Sequence, residues 1–359
     1  MALLAGMVLS CTGCDKNNGK DNPGTGSVTL SSEDFNFTFE EQKRSYNIEA
    51  SADWGIAIEG NPEWVSVTPS GGTKGSSSFS IQILKNKLSD ERTAEIVLRC
   101  GTARKNFTIK QGVDPAGAEI QVPDGYKLVW NEEFDVAGTP STDRWWYETG
   151  AGGWGNNEIQ NYVKGRTPGG KDIAEIKNGI LTISCVSEGS SVYSVRMNTN
   201  DSWQYGWFEA KLKVTDTYGA WPAFWMMPKN FKTWPGDGEI DIMEYAIGTQ
   251  GKNKVSSSIH CNAFNWPAGT QKTHVQSISN AATEWHVFAL EWTASEMIFY
   301  VDGTKHLTFK NEGGYDKWPF DAPFYLKLNL AWGGNMGGSK LDPLPAQYQI
   351  DYVRVFQKK

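Results

Sequence analysis

The sequence predicts an all-β protein, in which a small N-terminal β-sandwich precedes a larger β-sandwich or jelly roll. Short runs of alternating apolar and polar residues recur along the chain, which is the pattern of strands with one buried face. Clusters of Gly, Pro, Asn and Asp separate these runs, and no segment sustains the period of an amphipathic helix. The 359 residues, 39% hydrophobic and 21% charged, have the composition of a globular chain long enough for two domains.

Composition also narrows the classes of partner. The formal net charge of −7 argues against a nucleic-acid partner, because such proteins usually present a basic face. No apolar run reaches the ~18 residues that a membrane-spanning helix needs. Fourteen of the 16 tryptophans follow residue 120, which indicates that the second domain uses aromatic rings for its core or for flat binding surfaces.

The first residues are typical of a targeting segment, because a short apolar stretch ends in small residues. Val8-Leu-Ser-Cys11 resembles a bacterial lipobox, in which the cysteine is lipidated and becomes the mature N-terminus. We interpret residues 1–11 as a lipoprotein signal-like segment, and 12–27, rich in Asn, Asp, Lys and Gly, as a flexible tether. The resemblance implies a bacterial cell-envelope protein that reaches the membrane only through a lipid on Cys11, at the outer-membrane surface; whether it faces the periplasm or the exterior stays open.

Residues 28–113 predict a small β-sandwich, because short alternating strands and turn clusters fill the whole segment. The order Trp64-Val-Ser-Val-Thr-Pro-Ser-Gly, then Asn86, Arg92 and Lys110-Gln-Gly resembles the BACON module of Bacteroidetes surface proteins. The family name implies carbohydrate binding, for which this unit offers Trp54 and Trp64 as stacking candidates. We favour a spacer role, with both rings in the core. Residues 114–121 are predicted to form a linker to the second domain.

Residues 122–359 predict the larger sandwich or jelly roll, since strands alternate with loops rich in Gly, Asn and Asp. The clearest candidate strands are 127–130, 180–184, 206–214, 286–292, 297–301 and 350–356. Cys100, Cys185 and Cys261 are well separated, and we expect them to be buried thiols.

Three carboxylates lie within six residues in Glu239-Ile-Asp241-Ile-Met-Glu244. On a regular strand Glu239 and Asp241 share one face, and Ile240 and Ile242 point to the other. Glu244 has the wrong parity, but one extra residue in a β-bulge near Met243 would return it to the face of the other two. Three like charges on one face are costly, which favours a functional purpose over a solvated outer face.

A pair of carboxylates on one face can hydrolyse a glycosidic bond, with one as the nucleophile and the other as the acid/base. Their mutual repulsion, with a third carboxylate nearby, separates their pKa values, so that the acid stays protonated while the nucleophile is ionised.

The motif resembles the E-x-D-x-x-E signature of glycoside hydrolase family 16. Further matches in order and spacing extend over nearly all of residues 122–359: Gly152-Gly-Trp-Gly-Asn-Asn-Glu158, Gly219-Ala-Trp-Pro-Ala-Phe-Trp225, Leu290-Glu-Trp292, Leu328-Asn-Leu-Ala-Trp-Gly-Gly334 and Asp351-Tyr-Val-Arg-Val-Phe356. The resemblance implies a curved jelly roll with an open sugar-binding groove on its concave side. It implies a retaining endo-hydrolase with Glu239 as nucleophile, Glu244 as acid/base and Asp241 hydrogen-bonded to the nucleophile. The spacing is that of laminarinase-like members.

Further sugar-binding residues of the groove are predicted from their position in the sequence and from the family resemblance. Sugars stack on aromatic rings and need amide, carboxylate and guanidinium partners. Position in the sequence suggests Trp221, Trp225, Trp234 and Trp332 for stacking, although a core role is open for each. The resemblance implies sugar contacts by Asn156, Glu158, Arg196, His260 and Asn329, of which the two asparagines could instead form turns and His260 could be a strand residue. Cys261 and Trp332 depart from the family pattern, which leaves the substrate open.

We expect no cofactor for catalysis, because the four histidines are too scattered for a zinc motif. The resemblance implies a structural calcium held by Glu133, the backbone oxygen of Gly179 and Asp351, and oxygen ligands suit calcium.

The sequence therefore predicts a monomeric endo-1,3(4)-β-glucanase whose partner is a β-1,3- or mixed β-1,3/1,4-glucan. A β-galactan or mucin-type glycan hydrolase with the same carboxylates is one alternative. The other is a non-catalytic glycan-binding surface lipoprotein, against which the retained Glu239 and Glu244 argue, because binding needs neither.

Overall fold

The computed structural model describes residues 26–62, 64–88, 90–115 and 123–359. The chain divides into two compact units, Met1–Gln121 and Val122–Lys359. The lipidation candidate Cys11, the tether up to residue 25 and linker residues 116–121 lie outside the described residues. In the described part of the chain, no helix is long and apolar enough to cross a membrane.

The described residues of the first unit form a sandwich of two sheets. The strands are β1 (Val28–Leu30), β2 (Asn36–Phe37), β3 (Gln42–Ala50), β4 (Trp54–Ile58), β5 (Val65–Thr68), β6 (Gly71–Gly72), β7 (Gly75–Ile83), β8 (Arg92–Cys100) and β9 (Ala103–Gln111). One sheet has the strand order β1-β3-β7-β5 and the other β2-β9-β8-β4-β6.

Period-two alternation builds this core as expected, since Tyr46, Ile48 and Ala50 of β3 are buried while the residues between them are exposed. Trp54 is 5% exposed and its indole nitrogen donates to Ser77 Oγ, so its ring belongs to the core and cannot serve as a sugar platform. Trp64 packs against the same core, and the Arg92 guanidinium stacks on its ring at 4.5 Å.

The second unit adds strands β10–β26 and the four-residue helix α1 to the described structure. They are β10 (Tyr126–Glu132), β11 (Trp145–Glu148), β12 (Asn161–Tyr162), β13 (Ala174–Lys177), β14 (Ile180–Glu188), β15 (Ser191–Ser194), β16 (Arg196–Thr199), β17 (Gly206–Lys213), β18 (Ala220–Pro228), β19 (Glu239–Glu244), β20 (Lys254–His260), β21 (Lys272–Ser277), β22 (His286–Trp292), β23 (Glu296–Val301), β24 (Thr304–Lys310), β25 (Phe324–Trp332), α1 (Gly334–Gly337) and β26 (Ala346–Lys358).

Two sheets enclose the core of this unit. The back sheet has the order β12-β15-β14-β26-β17-β22-β23-β24, with β10 paired to β26 and β13 to β14. The groove sheet has the order β11-β16-β25-β18-β19-β20-β21. Large side chains such as Trp145, Trp292 and Phe224 are fully buried between them. Cys100, Cys185 and Cys261 are buried free thiols, as expected.

The predicted bulge is present in β19. Opposite β18, Phe224 pairs with Met243 and Trp225 with Asp241, so Ile242 has no counterpart. Opposite β20, Asp241 pairs with Ser258 and Glu244 with Ser256, so two residues of β19 face one of β20. Ile240, Ile242 and Met243 are buried at 0–1% exposure, while Glu244 is half-buried like Glu239. The extra residue thus returns Glu244 to the face that carries Glu239 and Asp241.

Candidate active site

The groove sheet carries a cavity of about 740 Å³ on the face away from the core. Alternate residues of its strands line this cavity, as the pleat requires. The predicted residues that line it are Asn156, Glu158, Arg196, Trp221, Trp225, Trp234, Glu239, Asp241, Glu244, His260 and Asn329. The structure therefore collects residues that are up to 173 positions apart, from Asn156 to Asn329, around the carboxylates of β19.

Each carboxylate of β19 contacts a different aromatic ring system. The indole nitrogen of Trp234 donates to Glu239 Oε2 at 3.1 Å, and that of Trp221 donates to Glu244 Oε1 at 3.0 Å. His260, directly opposite Glu239 on β20, places Nε2 3.3 Å from Asp241 Oδ2. A rigid ring system therefore holds each of the three carboxylates in position.

Burial perturbs all three carboxyl groups. It raises the pKa of Glu239 to about 7; the Asp241 charge adds to this, and His260, Arg196 and the Trp234 indole oppose it. Burial also raises the pKa of Asp241, and burial together with repulsion from Asp241 raises the pKa of Glu244. A glutamate with a raised pKa can keep its proton near neutral pH, as an acid must, and can still ionise there, as a nucleophile must.

A cationic cluster lies at another part of the groove. Arg196 Nε and Lys327 Nζ both bond Glu148 Oε2, the lysine at 2.7 Å. Both cations make cation–π contacts with the ring of Trp225. The Arg196 guanidinium lies 4.8 Å and the Lys327 ammonium 4.7 Å from the ring centroid. Burial, with the Arg196 charge, lowers the pKa of Lys327 to about 7. These contacts hold Trp225 rigidly as part of the groove wall.

Asn329 and Glu158 belong to one buried hydrogen-bond chain. Trp225 Nε1 donates to Asn329 Oδ1 at 2.7 Å, Asn329 Nδ2 donates to Tyr162 Oη at 3.1 Å, and Tyr162 Oη donates to Glu158 Oε2 at 2.9 Å. Gln160 Nε2 donates to the same Glu158 oxygen at 2.6 Å. Buried hydrogen-bond networks of this kind fix side-chain positions. This network therefore fixes the orientation of the side chains at the edge of the groove.

Comparison with known proteins decides the family. The model of glycosyl hydrolases family 16 matches residues 163–354, which is more than half of the chain and includes the carboxylate strand. The chain belongs to glycosyl hydrolase family 16. A BACON model, described as an N-terminal binding domain, matches residues 52–112. Both predicted families are thereby confirmed.

Relatives in this glycosidase family resemble most of the second unit. A β-glucanase of Rhodothermus marinus is 38% identical over 250 residues, covering 65% of this chain and 85% of the relative. The solved laminarinase of Rhodothermus marinus is 36% identical, with a TM-score of 0.61 over 65% of this chain and 98% of that one. SCLam, a non-specific endo-β-1,3(4)-glucanase of family 16, is also 36% identical, with a TM-score of 0.61 over 67% of this chain and 94% of its own.

One predicted groove residue is wrong. Trp332 is 2% exposed and belongs to the hydrophobic core, where its ring lies against the backbone of Gly219. Its parity on β25 explains this, because Lys327 and Asn329 face the groove and Trp332 is an odd number of residues from each. Only its backbone contributes near the site, where its N–H donates to Gln160 Oε1 at 2.7 Å.

Several residues that line the groove were not predicted from the sequence. Phe231 and Trp266 are 46% and 49% exposed on loops that flank β19 and β20. Exposed aromatic rings beside a run of carboxylates are a signal that could have found them. Glu148, Trp154 and Lys327 also line the groove, and only their neighbours in the sheet reveal that.

The calcium set proposed from the resemblance does not fit the arrangement of side chains. Both Glu133 oxygens accept bonds from Arg354 at 2.9 Å, and Asp351 Oδ2 pairs with Lys211 Nζ at 2.7 Å. Gly179 lies in the turn between β13 and β14 with a φ of 75°. A cation here would compete with a guanidinium and an ammonium group, so we derive no role for calcium.

We predict that the two indole donors control opposite limbs of the pH profile. Trp234→Phe removes a bond that favours ionised Glu239, so the acidic limb of kcat/KM should move up by about 0.5–1 pH unit. Trp221→Phe removes the bond to Glu244, so the basic limb should move up instead. Hydrolysis rates between pH 4 and 10 measure both limbs, and movement of the same limb in both variants would contradict the assignment.

We also predict that Glu239 destabilises the fold at neutral pH. Because its pKa is raised from 4.5 to about 7 by folding, the stability present below about pH 4.5 is lost as the pH rises through 7. Glu239→Gln should therefore raise Tm by about 2–6 °C at pH 8 and change it little at pH 4.5. Glu175→Gln, exposed on β13, is the matched control. Equal Tm gains at both pH values would contradict a charge-based cause.

Proposed function

We propose that this family 16 enzyme is a retaining endo-1,3(4)-β-glucanase that cleaves β-1,3- or mixed β-1,3/1,4-glucan. The observation that carries the proposal is the bulged strand β19, which presents Glu239, Asp241 and Glu244 together in one groove with raised pKa values. The β-glucanase and laminarinase relatives support the glucan as the substrate class. No feature of the groove favours the galactan or the non-catalytic alternative.

In the first step, the ionised carboxylate of Glu239 attacks the anomeric carbon. Glu244, protonated because burial and Asp241 raise its pKa, donates its proton to the departing glycosidic oxygen. The bond from the anomeric carbon to that oxygen breaks while a glycosyl ester to Glu239 forms. Trp234 fixes the orientation of the attacking carboxylate through its 3.1 Å bond.

In the second step, water displaces Glu239 from the sugar. Glu244, now ionised, takes the proton from that water and is returned to its starting state. Two displacements at the same carbon retain its configuration. Asp241 and His260 act as positioning residues, because they contact each other at 3.3 Å and their charges act on both glutamates. Asp241 raises and His260 lowers the pKa of each one.

The groove walls support binding of a polysaccharide along its length. Trp221, Trp225 and Trp234 line the cavity beside the carboxylates, and the exposed Phe231 and Trp266 extend the aromatic surface. Sugar C–H faces stack on such rings, while Asn156, Glu158 and Arg196 offer hydrogen-bond partners for hydroxyls. Binding on both sides of the scissile bond is what an endo-acting enzyme requires.

The test is product analysis on residues 28–359 with laminarin, barley mixed-linkage glucan and a β-galactan panel. Short gluco-oligosaccharides should appear early, with retained anomeric configuration. Glu239→Ala should lower kcat at least ~10³-fold because no covalent intermediate can form, while laminarin affinity stays within a few-fold.

Glu175→Ala is the matched control and should leave hydrolysis unchanged. Products from galactans alone would overturn the glucan but keep the mechanism. Wild-type activity in Glu239→Ala, or binding without products in the parent enzyme, would overturn the catalytic assignment.

We further propose that the enzyme is a monomer tethered to the bacterial envelope by a lipid on Cys11, with residues 28–113 as a spacer. The lipobox-like Val8-Leu-Ser-Cys11 and the polar segment behind it support this arrangement.

Cys11→Ala should shift the expressed protein from the detergent-soluble membrane fraction to the aqueous fraction, because its lipid attachment point is lost. Fractionation with a phase-separating detergent measures this, and Cys14→Ala is the matched control, expected to stay with the membrane. Equal partitioning of the Cys11→Ala variant and the parent would contradict the anchor.

A further inference from the structure

Two histidines meet at one edge of the second unit, outside the groove. His274 lies on β21, the last strand of the groove sheet, and His306 lies on β24, the last strand of the back sheet. Their Nδ1 atoms are 3.2 Å apart. This contact therefore joins the edge strands of the two sheets that enclose the core.

The backbone directs both rings to this point. On β24, Leu307 pairs with Phe299 and Lys305 with Tyr300, so His306 is the extra residue of a bulge. Bulges commonly re-aim a side chain. On β21, Thr273 lines the groove, so the pleat turns its neighbour His274 to the opposite side, toward the back sheet.

Hydrogen bonding decides which nitrogen of His306 carries the proton. Ser257 Oγ donates its single proton to the carbonyl oxygen of Ile242 at 2.7 Å. The same hydroxyl lies 3.1 Å from His306 Nε2, so it can only accept there, and Nε2 carries the hydrogen. In the neutral ring, Nδ1 of His306 is then a free lone pair that points at His274 Nδ1.

We propose that His274 and His306 form a binding site for a transition-metal ion of the Zn²⁺, Ni²⁺ or Cu²⁺ class. Two nitrogens at ~2.0–2.1 Å from one tetrahedral ion are ~3.3 Å apart, close to the observed separation. The neutral ring of His274 would carry its hydrogen on Nε2 in the bound state, so both Nδ1 lone pairs face the ion, and water completes the coordination. Imidazole is a preferred ligand for this class of metal.

This ion would fasten the two sheets at the edge behind the active site. Ser257 already fixes the ligand His306 and bonds the carbonyl of Ile242, the bulge residue of β19. An ion bound by the folded edge strands and not by the unfolded chain stabilises the fold by mass action. Metal binding should therefore raise Tm.

Any test must distinguish this histidine site from a second set of potential metal ligands in the groove. Glu239, Asp241 and His260 place one ligand atom each within 4.8 Å of one another, the one set of three or more potential metal ligands that the described part of the chain contains. That set offers a single imidazole nitrogen, whereas the edge site offers two. The number of nitrogens on the metal therefore distinguishes the sites.

The experiment uses the full chain after treatment with a chelator. One equivalent of Cu²⁺ should give an electron paramagnetic resonance spectrum with splitting from two nitrogens, and 0.1 mM Zn²⁺ should raise Tm by about 2–5 °C. His274→Gln, at an exposed position, should lose both signals while keeping the metal-free Tm. His306→Gln is the second variant, expected to lose them as well.

His260→Gln is the matched control and should keep both signals, because it alters only the catalytic set. Loss in His260→Gln with retention in His274→Gln would overturn the proposal and assign the metal to the groove. Absence of the two-nitrogen spectrum and of the Tm rise in the parent chain would show that the histidines are no more than a hydrogen-bonded pair.

Discussion

The site depends on keeping three carboxyl groups on one face of a single strand, with Asp241 buried and Glu239 and Glu244 half-buried. Desolvation and mutual repulsion both disfavour their ionised forms, and this raises the pKa of Glu239 to about 7 and also raises that of Glu244. The protein stabilises this arrangement with one bulge, two indole donors and His260. The same burial that disfavours the charges supplies the protonated acid and the ionisable nucleophile that the proposed mechanism needs.

The rest of the second unit holds this strand between rigid neighbours. β18 and β20 flank β19 and contribute Trp221 and His260, whose rings contact its carboxylates. Behind it, Ile240, Ile242 and Met243 pack into the core, so the backbone cannot move without disturbing that core. On the far strands, Arg196 and Lys327 share Glu148 and hold the Trp225 ring, which extends the ordered surface along the groove.

Many of the strands, and the bulge in β19, were predictable from the sequence because they depend on local periodicity. Alternating runs predicted strands such as β22 and β17, and the parity of Glu239, Asp241 and Glu244 predicted the bulge before any contact was known. The alternation is weaker in β8, where Ile96-Val-Leu98 are three consecutive buried apolar residues. Trp332 was misjudged because the local sequence does not say which face of β25 turns to the core.

The sequence by itself determined the fold class, the family and the three carboxylates proposed to carry the chemistry, because these follow from short-range pattern and motif spacing. Only the tertiary structure decided which aromatic rings line the groove, that Lys327 joins Arg196 on Glu148, that Glu133 pairs with Arg354, and that His274 meets His306. Each of these contacts joins strands far apart in the chain, and their register is set by packing of whole sheets rather than by the residues on either side.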